Sequence, residues 1–137
     1  MTLSPSSSRR WVLIVDDDPD MLNLLTEFVH GPEMKVTTAT DALSAFIQAR
    51  DLRPALVISD MQMPGFYGAA TLTELRKDPR TSMPFIFVTG MGLEKAQALV
   101  PPGTPGVRFL AKPVDWDKLE RYVFELTGMK IGPDSNL

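Results

Sequence analysis

Residues 11–20 read WVLIVDDDPD, an apolar run from Trp11 to Val15 that empties into Asp16, Asp17, Asp18 and Asp20. A buried strand ending in carboxylates gathers like charge, at a cost on the order of 3 kcal/mol per pair at ~5 Å and an effective dielectric of ~20. Such a strand end calls for a positive group. Later apolar runs end in the same way: Ala55 to Ser59 delivers Asp60, Phe85 to Val88 delivers Thr89, and Arg108 to Ala111 delivers Lys112. We read Asp16, Asp17, Asp60, Thr89 and Lys112 as meeting in one phosphoryl-transfer site around a divalent cation.

Apolar runs alternating with segments of helical period make five βα units and predict a doubly wound α/β domain on a parallel sheet. Strand one is Trp11 to Val15. Asp18 then caps a helix with Pro19 at its first position, and Met21, Leu25, Phe28 and Val29 form its apolar stripe until Gly31 and Pro32 stop it. Lys35 to Ala39 reads as an exposed edge strand, and Thr40 as the cap of a helix through Arg50. Pro54 opens strand three. Pro64, Gly65 and Gly68 mark a loop before a helix from about Ala69 to Lys77, which Pro79 ends. After strand four, Leu93 to Val100 makes two helical turns, and the prolines and glycines of 101–106 forbid regular structure. The last helix runs from a cap at Asp115 to Gly128, with Leu119, Tyr122, Val123 and Leu126 on its inner face. Residues 1–9 are read as a flexible serine-rich leader, 10–128 as the domain, and 129–137 as a tail or linker. That division is compatible with a stand-alone protein and with a piece of a longer one.

Composition narrows the function. The chain has 137 residues, 44% hydrophobic, enough for one domain with a core of its own. A formal charge of -3, with no basic run longer than a doublet such as Arg9–Arg10, argues against direct nucleic-acid binding. With no cysteine there is no disulfide framework, thiolate nucleophile or Cys-type zinc site, and cytoplasm is the default location. No apolar run reaches membrane-spanning length.

In an open parallel sheet the ligand crevice lies outside the carboxyl ends of the strands, and all five candidate residues are strand-end residues. Carboxylate oxygens, a backbone carbonyl and waters suit Mg²⁺, which prefers octahedral oxygen ligands. Asp60, carried by a fully apolar strand and followed by a Pro and Gly loop, is our nucleophile for an incoming phosphorus atom. Lys112, just before Pro113, is a point charge for a phosphoryl oxygen or for Asp60 itself. Thr89, backed by Gly90, supplies a hydroxyl donor.

These residues carry a resemblance. VDDDP at Val15 to Pro19, DMQMPGFYG at Asp60 to Gly68, VTG at Val88 to Gly90 and AKP at Ala111 to Pro113 follow in the order found in receiver domains of two-component response regulators. The chain resembles that family from about Arg10 to Gly128. The resemblance implies a flavodoxin-like strand order of 2-1-3-4-5, an order already documented for a relative in this family. It makes Asp60 the phosphoacceptor, binds Mg²⁺ directly to Asp17, Asp60 and the Gln62 main-chain carbonyl and through water to Asp16, and sets Thr89 and Lys112 on the phosphoryl group. It also implies a cis bond between Lys112 and Pro113, and an aromatic switch at Phe109 that turns inward as Thr89 moves. Gln62 and Met91 fall at variable positions that influence the lifetime of the phosphoryl group. The implied partners are a histidine kinase or histidine phosphotransfer protein as donor, a downstream protein or attached output domain, and a homodimer formed on phosphorylation. The domain is then a signalling module and not an enzyme in the usual sense. Its Pro and Gly stretch at 101–106 departs from the family, where the fourth helix runs into the fifth strand.

Each residue also has an ordinary reading: the aspartates as a solvated helix start, Asp60 as a turn residue, Thr89 as a strand-end hydroxyl, Lys112 as a surface charge. Only their joint placement favours chemistry. His30 at a helix end suits the helix dipole. The eight methionines fill core gaps, and Trp116 and Tyr122 are packing residues. Two competing functions stay open. One is a small haloacid-dehalogenase-like phosphatase using Asp16, Asp18, Thr89, Lys112, Asp115 and Asp117, although Asp60 would then have no task. The other is a receiver-like interaction module that is never phosphorylated.

Overall fold

The computed structural model describes residues 9–63 and 66–132; most of the expected leader, 1–8, two residues of the expected loop, Pro64 and Gly65, and 133–137 of the expected tail lie outside the described residues. Five strands form one parallel sheet: β1 (Arg10–Val15), β2 (Met34–Ala39), β3 (Leu56–Asp60), β4 (Phe85–Thr89) and β5 (Val107–Ala111), in the order β2-β1-β3-β4-β5. This is the order the resemblance implied. Helices α1 (Pro19–Phe28), α2 (Ala42–Leu52), α3 (Gly68–Leu75), α4 (Leu93–Ala98) and α5 (Trp116–Thr127) connect and cover them. A short antiparallel ladder pairs Gln62 with Tyr67 and Met63 with Phe66 between β3 and α3.

Alternation along the strands builds two cores. Val12, Ile14, Leu56, Ile58, Ile86, Val88 and Leu110 face α1 and α5, where they meet Leu25, Val29, Leu119 and Val123. Leu13, Val15, Val57, Phe85 and Phe87 face the other way, against Ala45 and Ala49 of α2, Leu72 and Leu75 of α3 and Ala96 of α4. Both faces of β1, β3 and β4 are covered, which is why these strands read as continuous apolar runs. The edge strand β2 is only partly buried.

Local chemistry explains most boundaries. Asp18 accepts from the Asp20 N–H at 3.0 Å and Pro19 opens α1, as expected. The α2 cap is Asp41 and not Thr40: its carboxylate accepts from the Ser44 N–H at 2.7 Å, and the helix runs on to Leu52. Helix α3 ends at Leu75, earlier than Lys77, and Pro79 begins a one-turn 3₁₀ helix, Pro79–Thr81, capped by Asp78. Helix α4 is six residues long, shorter than expected, and segment 101–106 is irregular with Gly103 and Gly106 at positive φ. The Arg76 guanidinium holds that segment by donating to the Pro105 carbonyl at 2.9 Å and the Met83 carbonyl at 3.0 Å.

The residues after Gly128 depart from the tail reading. Met129 is fully buried in the α1–α5 core, Ile131 packs against it, and the Gly132 N–H donates to the His30 carbonyl at 2.9 Å. The packed unit therefore reaches Gly132. Gly31 makes this return possible, because a Cβ there would stand 2.5 Å from the Lys130 carbonyl oxygen. His30 contributes its backbone to this contact and is exposed.

Candidate functional site

Strand register assembles the site. Val15 pairs with Ser59, so Asp16 and Asp60 leave β1 and β3 at the same level; Asp60 pairs with Val88 and Thr89 with Ala111. Residues far apart in sequence thus meet at the carboxyl edge. Asp16, Asp60 and Lys112 also share strand parity with Ile14, Ile58 and Leu110, so they extend one row of side chains.

The Lys112 ammonium lies 3.3 Å from Asp60 Oδ2 and 3.4 Å from Asp16 Oδ2, with the peptide bond to Pro113 cis. Asp16 is fully buried and Asp60 is 7% exposed, while Asp17 is exposed. One carboxylate oxygen from each of Asp16, Asp17 and Asp60 lies within 4.8 Å of the others. Burial pushes the Asp16 carboxyl above its ordinary pKa; the Asp18 N–H bond opposes this, Asp60 adds to it, and Lys112 opposes it. For Lys112, burial acts to lower the ammonium, but the charges of Asp60 and Asp16 outweigh it and raise its pKa. The lysine stays charged, as the strand-end carboxylates require.

Backbone hydrogen bonds fix the acceptors. The Asp18 N–H donates to Asp16 Oδ1 at 2.9 Å, and the Gln62 N–H to Asp60 Oδ1 at 3.0 Å. Asp60 keeps its Oδ2 toward Lys112 and the pocket. The Ser59 hydroxyl donates to the Asp60 carbonyl at 2.9 Å, a contact without a sequence signal. Thr89 is buried; its hydroxyl oxygen accepts from the Met91 N–H at 3.1 Å, and its carbonyl accepts from the Lys112 N–H at 2.8 Å. Its hydroxyl hydrogen is thereby left for an acceptor other than Met91. Phe109 belongs to the opposite row, with its ring 5.7 Å from Phe87. Asp18 and Asp115 are helix caps and stand outside the three-carboxylate group.

The donor set fits a hard divalent cation, since it offers oxygen atoms alone, three of them from carboxylates, with open solvent beside Asp17. Fold and site together define a class: a five-stranded parallel α/β domain with a lysine-bridged acidic pocket at the carboxyl edge of its sheet. The chain belongs to the response regulator receiver domain family, whose profile residues 12–124 match. It is 36% identical over 119 residues to the response regulator Rre1 of Synechocystis sp., covering 84% of this chain and 50% of that protein. It is 33% identical over 81 residues to the DNA-binding response regulator MtrA of Mycolicibacterium smegmatis, covering 59% of this chain and 35% of that protein. The chain thus spans half or less of the length of these relatives. Among solved structures, the signal receiver domain of an HD domain-containing protein from Pseudomonas fluorescens Pf-5 superposes with a TM-score of 0.76 at 25% identity, covering 86% of this chain and 94% of that one. A CheY-like receiver domain protein from Methanospirillum hungatei JF-1 superposes with a TM-score of 0.73 at 26% identity, covering 87% and 94%. Receiver domains are signalling modules of two-component systems. Among the described residues, no helix is long and apolar enough to cross a membrane.

Proposed function

We propose that Asp60 accepts a phosphoryl group from a histidine kinase or histidine phosphotransfer protein in the cytoplasm. The observation that carries this is the Lys112 ammonium, 3.3 Å from Asp60 and 3.4 Å from Asp16, in a pocket where three carboxylates converge. An Asp60 oxygen attacks phosphorus, a P–O bond forms, the P–N bond to the donor imidazole breaks, and the imidazole leaves with a proton. Asp16, Asp17 and Asp60, with the Gln62 main-chain carbonyl, would hold Mg²⁺. When bound, the ion supplies charge neutralisation for the phosphoryl oxygens.

The protein's own groups do the rest. Lys112 draws one phosphoryl oxygen, and the Gln62 N–H keeps Asp60 aimed. Thr89 offers its hydroxyl hydrogen to another phosphoryl oxygen, and Phe109, on the Phe87 side of the sheet, answers its movement. The resulting change of surface controls a downstream protein or an attached output domain. The phosphatase alternative loses support from the capping roles of Asp18 and Asp115, which bind the N–H groups of Asp20 and Lys118.

Incubation with acetyl phosphate and Mg²⁺, read by intact-mass spectrometry, tests the assignment. The parent chain should gain one acid-stable, base-labile phosphoryl group and Asp60→Asn none. Equal labelling of the variant would overturn it.

A further inference from the structure

At the edge of the sheet opposite the carboxylate pocket, where β4 and β5 begin, a cleft of about 710 Å³ opens between the end of α3, the loop into β4, segment 101–106 and α5. Its lining carries three charged groups, the guanidiniums of Arg76 and Arg108 and the carboxylate of Glu125, so positive charge is in excess. Arg76 has only neutral partners, the Pro105 and Met83 carbonyls, and its buried Nε–H has none among the described residues. Burial lowers its pKa below the ordinary guanidinium value. Its neighbours differ: Lys77 lies 2.8 Å from Glu74 and Arg80 lies 2.9 Å from Asp78. Arg108 donates to the Val107 carbonyl at 3.2 Å and has its carboxylate, on Glu125, only at 3.9 Å. A partly buried cation without a counter-charge is costly, and in an open cleft an anion relieves that cost.

The two arginines approach from opposite faces of the sheet. Arg108 shares strand parity with Leu110 and stands on the α5 side, whereas Arg76 directly follows α3, which covers the other side. A planar carboxylate matches one guanidinium fork, but a tetrahedral phosphate dianion has oxygens for both. Ser82 and Thr104 at the rim already donate their hydroxyl hydrogens to the Asp78 and Pro101 carbonyls, so recognition of the anion falls to the guanidiniums. Pro84 and Leu126 supply an apolar wall. We propose that this cleft binds a small organic phosphomonoester, with its phosphate between Arg76 and Arg108 and its body against Pro84 and Leu126. The volume falls within the range of about 300–1,000 Å³ typical of sites that enclose a whole small molecule. Lys112 lies roughly 13 Å further along the extended chain from Arg108, so the cleft uses none of the phosphoryl-transfer groups. The inference therefore goes beyond the phosphorelay reading and does not rest on it. One dianion between two accessible arginines, with Glu125 competing, gives a dissociation constant on the order of 0.1–1 mM.

Titration of the isotope-labelled chain with adenosine monophosphate as the probe, with EDTA present and amide NMR signals as the readout, tests it. Saturable shifts should gather at Ser82, Gly106 and Arg108 and be small at Gly90 and Met91, beside the carboxylate pocket. Asp60→Asn should bind equally well, which separates this result from the fate of the phosphorelay reading. Inorganic phosphate, with no body for the apolar wall, should bind about threefold or more weakly. Adenosine, with no phosphate, should give no saturable shift there up to about 10 mM. Arg108→Gln should weaken binding about tenfold or more, and Glu125→Gln, which removes the competing carboxylate, should tighten it about threefold. Signals remote from the cleft report whether each variant is folded. No saturable shift with adenosine monophosphate up to about 10 mM overturns the inference, as do shifts confined to Gly90 and Met91. So does binding of adenosine or inorganic phosphate as tight as that of the monophosphate, or a folded Arg108→Gln that binds as the parent does.

Discussion

Asp60→Asn should make the metal-free protein more stable while removing its response to Mg²⁺. Asp16 and Asp60 are both buried, and their oxygens lie within 4.8 Å, which costs about 3.5 kcal/mol at an effective dielectric of ~20. Exposed Asp17, screened by water at a dielectric of ~80, adds about 1 kcal/mol. Lys112, at 3.3 Å, returns about 5 kcal/mol at the lower dielectric. The pairwise contributions to Asp60 nearly cancel. What remains is the desolvation of a buried carboxylate, several kcal/mol, offset by the Gln62 N–H bond at 3.0 Å. Asparagine keeps an acceptor for that bond, leaves Lys112 its 3.4 Å contact with Asp16, and removes the charge.

The expected gain is about 1–2 kcal/mol in urea denaturation with a chelator present. With Mg²⁺ at ten times its dissociation constant, the parent should rise by about 1.4 kcal/mol and the variant by much less, so that the gap closes or reverses. A variant more than about 1 kcal/mol less stable than the parent under chelation would refute the charge accounting. Mg²⁺ stabilisation of equal size in both proteins would refute Asp60 as a ligand.

Asp115→Ala removes the carboxylate that accepts the Lys118 N–H at 3.1 Å, and should cost about 1 kcal/mol of stability in urea; no change would mean that the cap is idle. Phe87→Ala empties a fully buried site between Phe85 and Phe109 and should cost about 3–5 kcal/mol, measured by thermal unfolding. A loss under about 1 kcal/mol would contradict the packing described. Gly31→Ala sets a Cβ 2.5 Å from the Lys130 carbonyl oxygen, so the returning segment must shift. Hydrogen exchange at the Gly132 amide, now bonded to the His30 carbonyl at 2.9 Å, should quicken. Unchanged protection there would show that the segment is held by other contacts.

The sheet and its pocket were legible because the signals are local and agree with one another. Each apolar run ends in a polar residue, and a parallel sheet has one edge where such ends collect. What the sequence obscured depends on competition between neighbours. Thr40 and Asp41 are both good caps, and only the finished turn, with Asp41 reaching the Ser44 N–H, decides between them. The shortness of α4 had a readable cause, since Pro101 disfavours helical backbone at Val100. Met129 could have been recovered as well: an apolar residue just past a glycine cap often folds back on the helix it follows, and Gly128 is that cap, with φ 75°. The Arg76 tie to segment 101–106 had no such signal, because it joins carbonyls on two separate loops.

Strand parity divides the site in a way that spacing alone conceals. Asp16, Asp60 and Lys112 extend the row that faces α1 and α5, whereas Thr89 follows Phe85 and Phe87 on the row that faces the other core. Thr89 is therefore the residue at which the two faces meet. Its carbonyl is bonded to the Lys112 N–H at 2.8 Å, and its strand neighbour Phe87 stacks on Phe109 at 5.7 Å. The carboxylate row touches Lys112 directly, and β4 and β5 join Lys112 to the Phe109 side of the sheet. The charged edge of the sheet is thus a pocket of crowded carboxylates suited to a cation.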